Sequence, residues 1–86
     1  MTTAKEYRLL AISKTTVMTA NGNVFDADEE SQNRMARAIV SMQLAQVNET
    51  NWILANNTPT VVTMTELGEA LKLAGQEQTR IWTTYR

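Results

Sequence analysis

Between residues 29 and 47 apolar side chains return every three or four positions, the spacing of a helix. Met35, Ala38, Ile39 and Met42 make one face. Ala36, Val40, Leu44 and Val47 make a second stripe on roughly the opposite side. A helix apolar on two sides is usually covered on two sides, so the second stripe calls for either the N-terminal segment or another chain. The helix is expected from Asp26 to about Val47. Asp26 would cap it, Glu29 stands three residues on, and Asp28, Glu29 and Glu30 suit the positive end of its dipole.

Two stretches alternate with period two and break at turn residues. In "TTVMTANGNVFDA" the break is Asn21-Gly22, a strong hairpin signal. A two-residue loop there sets Met18 opposite Phe25 with Ala20 on the same face, and leaves Val17, Thr19 and Val24 on the other. In "NWILANNTPTVV" the break is Asn56-Asn57. The same folding sets Leu54 opposite Pro59 and Trp52 opposite Val61, which gives a wholly apolar face. Pro59 cannot donate to a ladder, so its strand suits an edge.

A last helix is expected from near Met64. Thr63 and Glu66 have capping-box spacing. Leu67, Ala70, Leu71, Ala74, Ile81, Trp82 and Tyr85 share one face, with Gln78 interrupting it and Gly68 and Gly75 weakening it. Gly75 could mark a close packing contact. At the N-terminus "AKEYRLLAIS" reads as a short helix with Tyr7, Leu10 and Ala11 on one side, although an extended reading also fits. The expectation is one α+β domain spanning residues 1–86: a short N-terminal helix and two β-hairpins, each followed by a helix. The helices pack on one face of a small antiparallel sheet. Its core would hold Met18, Phe25, Met35, Ile39, Met42, Trp52, Leu54, Val61, Leu67 and Leu71.

Composition narrows the chemistry. The 86 residues include no cysteine and no histidine, which removes thiolate and imidazole metal ligands and the commonest general base. Eight basic against nine acidic residues, a formal charge of −1, lack the basic excess of a nucleic-acid binder. Arg34, Arg37, Arg80 and Arg86 are too few for such a patch. No apolar run reaches the length of a membrane span, and no signal peptide is visible.

"DADEES" invites a calcium-loop reading, but the sixth position is Ser31 and the twelfth is Arg37. An EF-hand needs glycine and a bidentate glutamate there, so helix capping explains the acids better. Asp26, Asp28, Glu29, Glu30, Glu66, Glu69 and Glu77 all fall near helix starts or on polar faces. Glu6 and Glu49 have no evident partner. No phosphate loop, nucleophile elbow or dinucleotide fingerprint is present. No catalytic, cofactor or metal residue is assigned, and no small-molecule substrate or membrane partner is expected. Trp52 reads as a core anchor, with ligand stacking as the rarer alternative. Trp82 and Tyr85 are either last core contacts or interface anchors.

"GNVFDADEESQNRMARAIVSMQ", followed by "NWILANNTPTVVTMTELGEALKLAGQEQTRIW", resembles a domain of unknown function found in tailed bacteriophages and prophages. That domain often forms the C-terminal part of tail-fibre, tail-assembly or other virion-associated proteins. The resemblance covers residues 22–82 and carries no catalytic residues. It implies a non-enzymatic structural or assembly protein, located in the virion or in the host bacterial cytoplasm during assembly. It would act by contact with other virion or tail proteins. The second stripe adds, independently, the expectation of a homo-oligomer, with Val40, Leu44, Val47, Trp82 and Tyr85 as candidate interface. The alternative is a free phage-encoded small protein that binds and inhibits a host or defence protein.

Overall fold

The computed structural model describes residues 3–84. The order is α1 (Ala4–Ser13), β1 (Thr16–Met18), β2 (Val24–Asp26), α2 (Glu29–Ala45), β3 (Glu49–Ile53), β4 (Pro59–Thr63) and α3 (Met64–Thr84). The fold is α+β, with an N-terminal helix and a helix after each hairpin. The hairpins stay separate two-stranded antiparallel sheets. A backbone hydrogen bond from Ala55 N–H to the Val24 carbonyl, 2.9 Å, ties one to the other.

Both hairpins close through three residues, not two. The Thr19 N–H donates to the Asn23 carbonyl at 3.0 Å and the Gly22 N–H to the Thr19 carbonyl at 2.9 Å. In the second hairpin, Leu54 bonds Thr58 at 3.0 Å and Asn57 bonds Leu54 at 2.8 Å in the same pattern. A type I′ turn needs two residues with positive φ, whereas the three-residue loop needs one. Each loop supplies one: Gly22 at φ 86° and Asn57 at φ 68°. Asn56 Oδ1 adds an acceptor for the Thr58 N–H at 3.1 Å.

The extra loop residue shifts each register by one, and a shift by one exchanges the faces of the shifted strand relative to its partner. Val17, not Met18, opposes Phe25. Met18 is therefore 64% exposed and is not a core residue, and Ala20 is exposed with it. Trp52 opposes Thr60, and Asn51 opposes Val61. Val61 is 59% exposed, and its neighbour Val62 takes the buried place.

The core joins both hairpins to α2 and α3. Phe25, Met35, Met42, Leu54, Val62, Leu67 and Ala70 are buried together, with Val17, Ala38, Ile39, Trp52, Met64 and Leu71 packed around them. Along α3, Ala74 and Ile81 extend the buried line, and α1 packs against this helix. Ile12 is the buried residue of α1. Tyr7 and Leu10, expected to share a side with Ala11, are about half exposed. A Cβ added at Gly75 or Gly68 would meet nothing within 4 Å, so neither glycine serves a close approach.

Helix ends follow capping chemistry with one displacement. In α1, Thr3 and Glu6 form a reciprocal capping box. In α2 the N-cap position falls on Asp28, not on Asp26, which is still paired in β2, and the Asp28 side chain makes no hydrogen bond to the helix backbone. Asp28 accepts from the Ser31 hydroxyl. The helix ends at Gln46, left-handed at φ 57°. The molecule measures 48 × 25 × 18 Å with a radius of gyration of 13.9 Å, longer than the ~12 Å of a compact chain of this length. An elongated small domain keeps more surface uncovered.

Candidate functional site

Two features stand out on this scaffold: a buried polar clamp and an uncovered apolar helix face. The clamp begins at Thr63, whose hydroxyl accepts the Glu66 N–H at 3.0 Å, half of the expected capping box. The Glu66 side chain does not complete that box. Its Oε2 accepts the Thr19 hydroxyl at 2.7 Å and the Asn23 amide at 2.8 Å, both from the first hairpin. One turn on, Glu69 accepts the Ala20 N–H at 2.8 Å. The start of α3 thus holds the β1–β2 loop through two carboxylates.

Glu66 stands in the first turn of α3, as expected, but it is 5% exposed and so is not a solvated surface acid. Burial alone raises its pKa. Hydrogen bonds from Thr19, Asn23 and Asn21 outweigh burial and hold the carboxyl below its ordinary value. All these partners are donors that favour the charged form. These bonds satisfy Glu66 and tether the β1–β2 loop to the start of α3. A second polar link runs at the far end of α3. Gln32 Nε2 donates to Gln78 Oε1 at 2.6 Å, and Gln78 Nε2 donates to Glu29 Oε1 at 3.0 Å. The polar interruption in the apolar face of α3 is therefore a cross-helix bond to α2.

The acids of "DADEES" disperse to separate partners. Asp26 lies in β2, Asp28 accepts from the Ser31 hydroxyl, and Glu30 pairs with Arg34 at 2.6 Å. Among the described residues no group of three or more acidic side chains could hold a metal ion. No described helix is long and apolar enough to cross a membrane.

The uncovered face is on α2. Met35 and Met42 point into the core with Ala38 and Ile39 beside them. Leu44 is 82% exposed and Val40 53%, and Val47 is exposed beyond the helix end. The N-terminal helix does not shield this stripe, because it packs against α3. Ala36, Arg37, Val40, Ser41 and Leu44 line a shallow groove there.

Of the aromatic candidates, Trp52 is half-buried against the core. Trp82 is 44% exposed, and the Arg8 guanidinium carbon lies 4.5 Å from its ring centroid. That contact links α1 to the end of α3 by a cation–π interaction. Tyr85 lies outside the described residues. Sequence spacing set Val40 and Leu44 on the side of α2 away from Met35 and Met42, and both are exposed there. It missed the reach of Glu66, because Thr19 lies 47 residues earlier and only the tertiary fold brings the two together.

The family described as "Domain of unknown function (DUF4376)" matches residues 2–86. No curated protein matches the chain. No solved structure matches it.

Proposed function

The chain belongs to the DUF4376 family of domains of unknown function, and from that premise we propose that it is a non-enzymatic bacteriophage structural or assembly protein. In this reading it is tail- or virion-associated, acts through protein–protein contacts and self-associates. The observation that carries the contact reading is the outer stripe of α2, where Leu44 is 82% exposed in a fold that has a core elsewhere. Large aliphatic side chains grouped on one face are a surface cue for association. The buried carboxylate supports the non-enzymatic reading, since Thr19 and Asn23, which donate to it, belong to the fold itself. The phage setting rests on the sequence resemblance over residues 22–82, and the proposed partners are other virion or tail proteins.

Quantitative mass spectrometry of purified particles tests the setting. The expected result is this chain at a fixed copy number per virion, retained through density-gradient purification. Its absence from particles, with abundant protein in the infected cell, would overturn the structural reading.

A further inference from the structure

We propose that Asn21 in the β1–β2 loop is a self-modification site, where the Gly22 backbone nitrogen displaces the side-chain amide and the carboxylate that results frees the loop from the start of α3. This goes beyond the protein-contact reading and does not depend on it.

The loop brings the reacting groups together. Asn21 is the one asparagine of the chain that a glycine follows. Both residues are exposed at the tip of the first hairpin. An asparagine side chain is attacked by the backbone nitrogen of the next residue through a five-membered ring, and a Cβ on that next residue crowds the approach. Gly22 has no Cβ, and the space beside it is open, since an added one would meet nothing within 4 Å. The second hairpin loop is the natural comparison. There Asn56 precedes Asn57, and Asn57 precedes the β-branched Thr58. Asn56 Oδ1 also accepts the Thr58 N–H at 3.1 Å.

The step consumes only water. The Gly22 N–H gives its proton to a solvent base, the nitrogen bonds to Asn21 Cγ, and the amide Cγ–N bond breaks. The amide nitrogen leaves as ammonia, and a cyclic imide remains. Water opens the ring at Cγ to give aspartate. Opening at the Asn21 backbone carbonyl gives isoaspartate, whose main chain runs through the former side chain. One amide and one water become one carboxylate and one ammonium ion, with no change of oxidation state.

The clamp on α3 gates this step and is undone by it. In the closed loop the Gly22 N–H donates to the Thr19 carbonyl at 2.9 Å, so the attacking nitrogen is occupied. Glu69 holds the Ala20 N–H at 2.8 Å and Glu66 holds the Asn23 amide at 2.8 Å, on either side of Asn21 in the chain. The Asn21 amide itself donates to Glu66. Attack therefore waits for local opening of the loop. Afterwards a carboxylate stands where a donor to Glu66 stood, and like charges at close range oppose closing. Isoaspartate further adds an atom to the main chain of a three-residue turn. The loop is a latch that opens once.

Peptide mapping by mass spectrometry, on the full chain kept in mildly alkaline buffer, tests the site. Hydrogen exchange on the same samples tests the release. Conversion should be severalfold faster at Asn21 than at Asn56 or Asn57, with isoaspartate among the products. Glu69→Ala removes an exposed arm of the clamp, and should speed conversion at Asn21 while leaving Asn56 and Asn57 unchanged. The Ala20 and Gly22 amides should exchange faster in the converted protein and in Asn21→Asp. Asn21→Gln, which keeps a donor amide on a longer side chain, should neither convert at that rate nor free the loop. Circular dichroism checks that each variant is folded. Three results would each overturn the inference: conversion at Asn21 no faster than in the second loop, a Glu69→Ala rate equal to the wild type, or unchanged exchange at Ala20 and Gly22 after conversion.

Discussion

The two sides of α2 carry similar apolar side chains and meet opposite environments. Met35 and Met42 are buried against both hairpins and α3, with Ala38 and Ile39 packed beside them. Val40 and Leu44, on the same 17-residue helix, stand in the open. Apolar periodicity therefore marks where a helix could be covered, and only the surrounding chain decides whether it is. The inner side serves folding. The outer side leaves apolar surface that folding does not use, and burial of such surface drives association.

That contrast is open to attack from both sides. The largest effect belongs to the inner face. Met35→Ala should cost about 2–5 kcal/mol, the range for a core methionine truncation, in denaturant unfolding, and should leave the mass of the folded fraction unchanged. A loss near that of a surface substitution would break the distinction between the faces.

The Glu66 tether comes next. Glu66→Ala strands the Thr19 hydroxyl and the Asn23 amide, at about 1–3 kcal/mol for a polar group left buried and unpaired. Its pH signature is specific. Because the folded pKa is lowered from 4.5, the contribution is fully present above that value and is lost as pH falls through the lowered one. Unfolding measured from neutral pH to about pH 3 should show a shallower acid loss in Glu66→Gln than in the wild type. An unchanged acid profile would mean the carboxylate does not hold the hairpin.

The smallest stability effect is expected on the outer face. Leu44→Ser should change unfolding free energy by no more than about 0.5 kcal/mol, as should Met18→Ser on the outward side of the first hairpin. A clearly larger loss at Leu44 would mean that the stripe is covered within the protomer.

How far the chain could be read without its structure differs by element. The helix after the first hairpin and its two stripes were legible because period 3.6 persists over four turns. The hairpins were legible as hairpins but not in register. Asn21-Gly22 and Asn56-Asn57 mark where the chain turns, yet whether one or both residues take positive φ is decided by the loop closing on the strands. That single residue moved Met18 and Val61 out of the core and brought Val62 in. The first helix misled for a different reason. Tyr7, Leu9 and Leu10 are its larger side chains and stay about half exposed, while Ile12 is the residue that is buried. The tether at Glu66 was half legible, since the capping spacing names the residue and not its partners.

The central claim is that the outer face of α2 assembles the protein and does not fold it. Light-scattering mass and thermal melting, measured together on wild type and Leu44→Glu at high protein concentration, test this most directly. The wild-type mass should rise toward a dimer with concentration, and the Leu44→Glu protein should stay monomeric and folded. A wild type that remains monomeric at millimolar concentration, or a Leu44→Glu chain that unfolds, would contradict it.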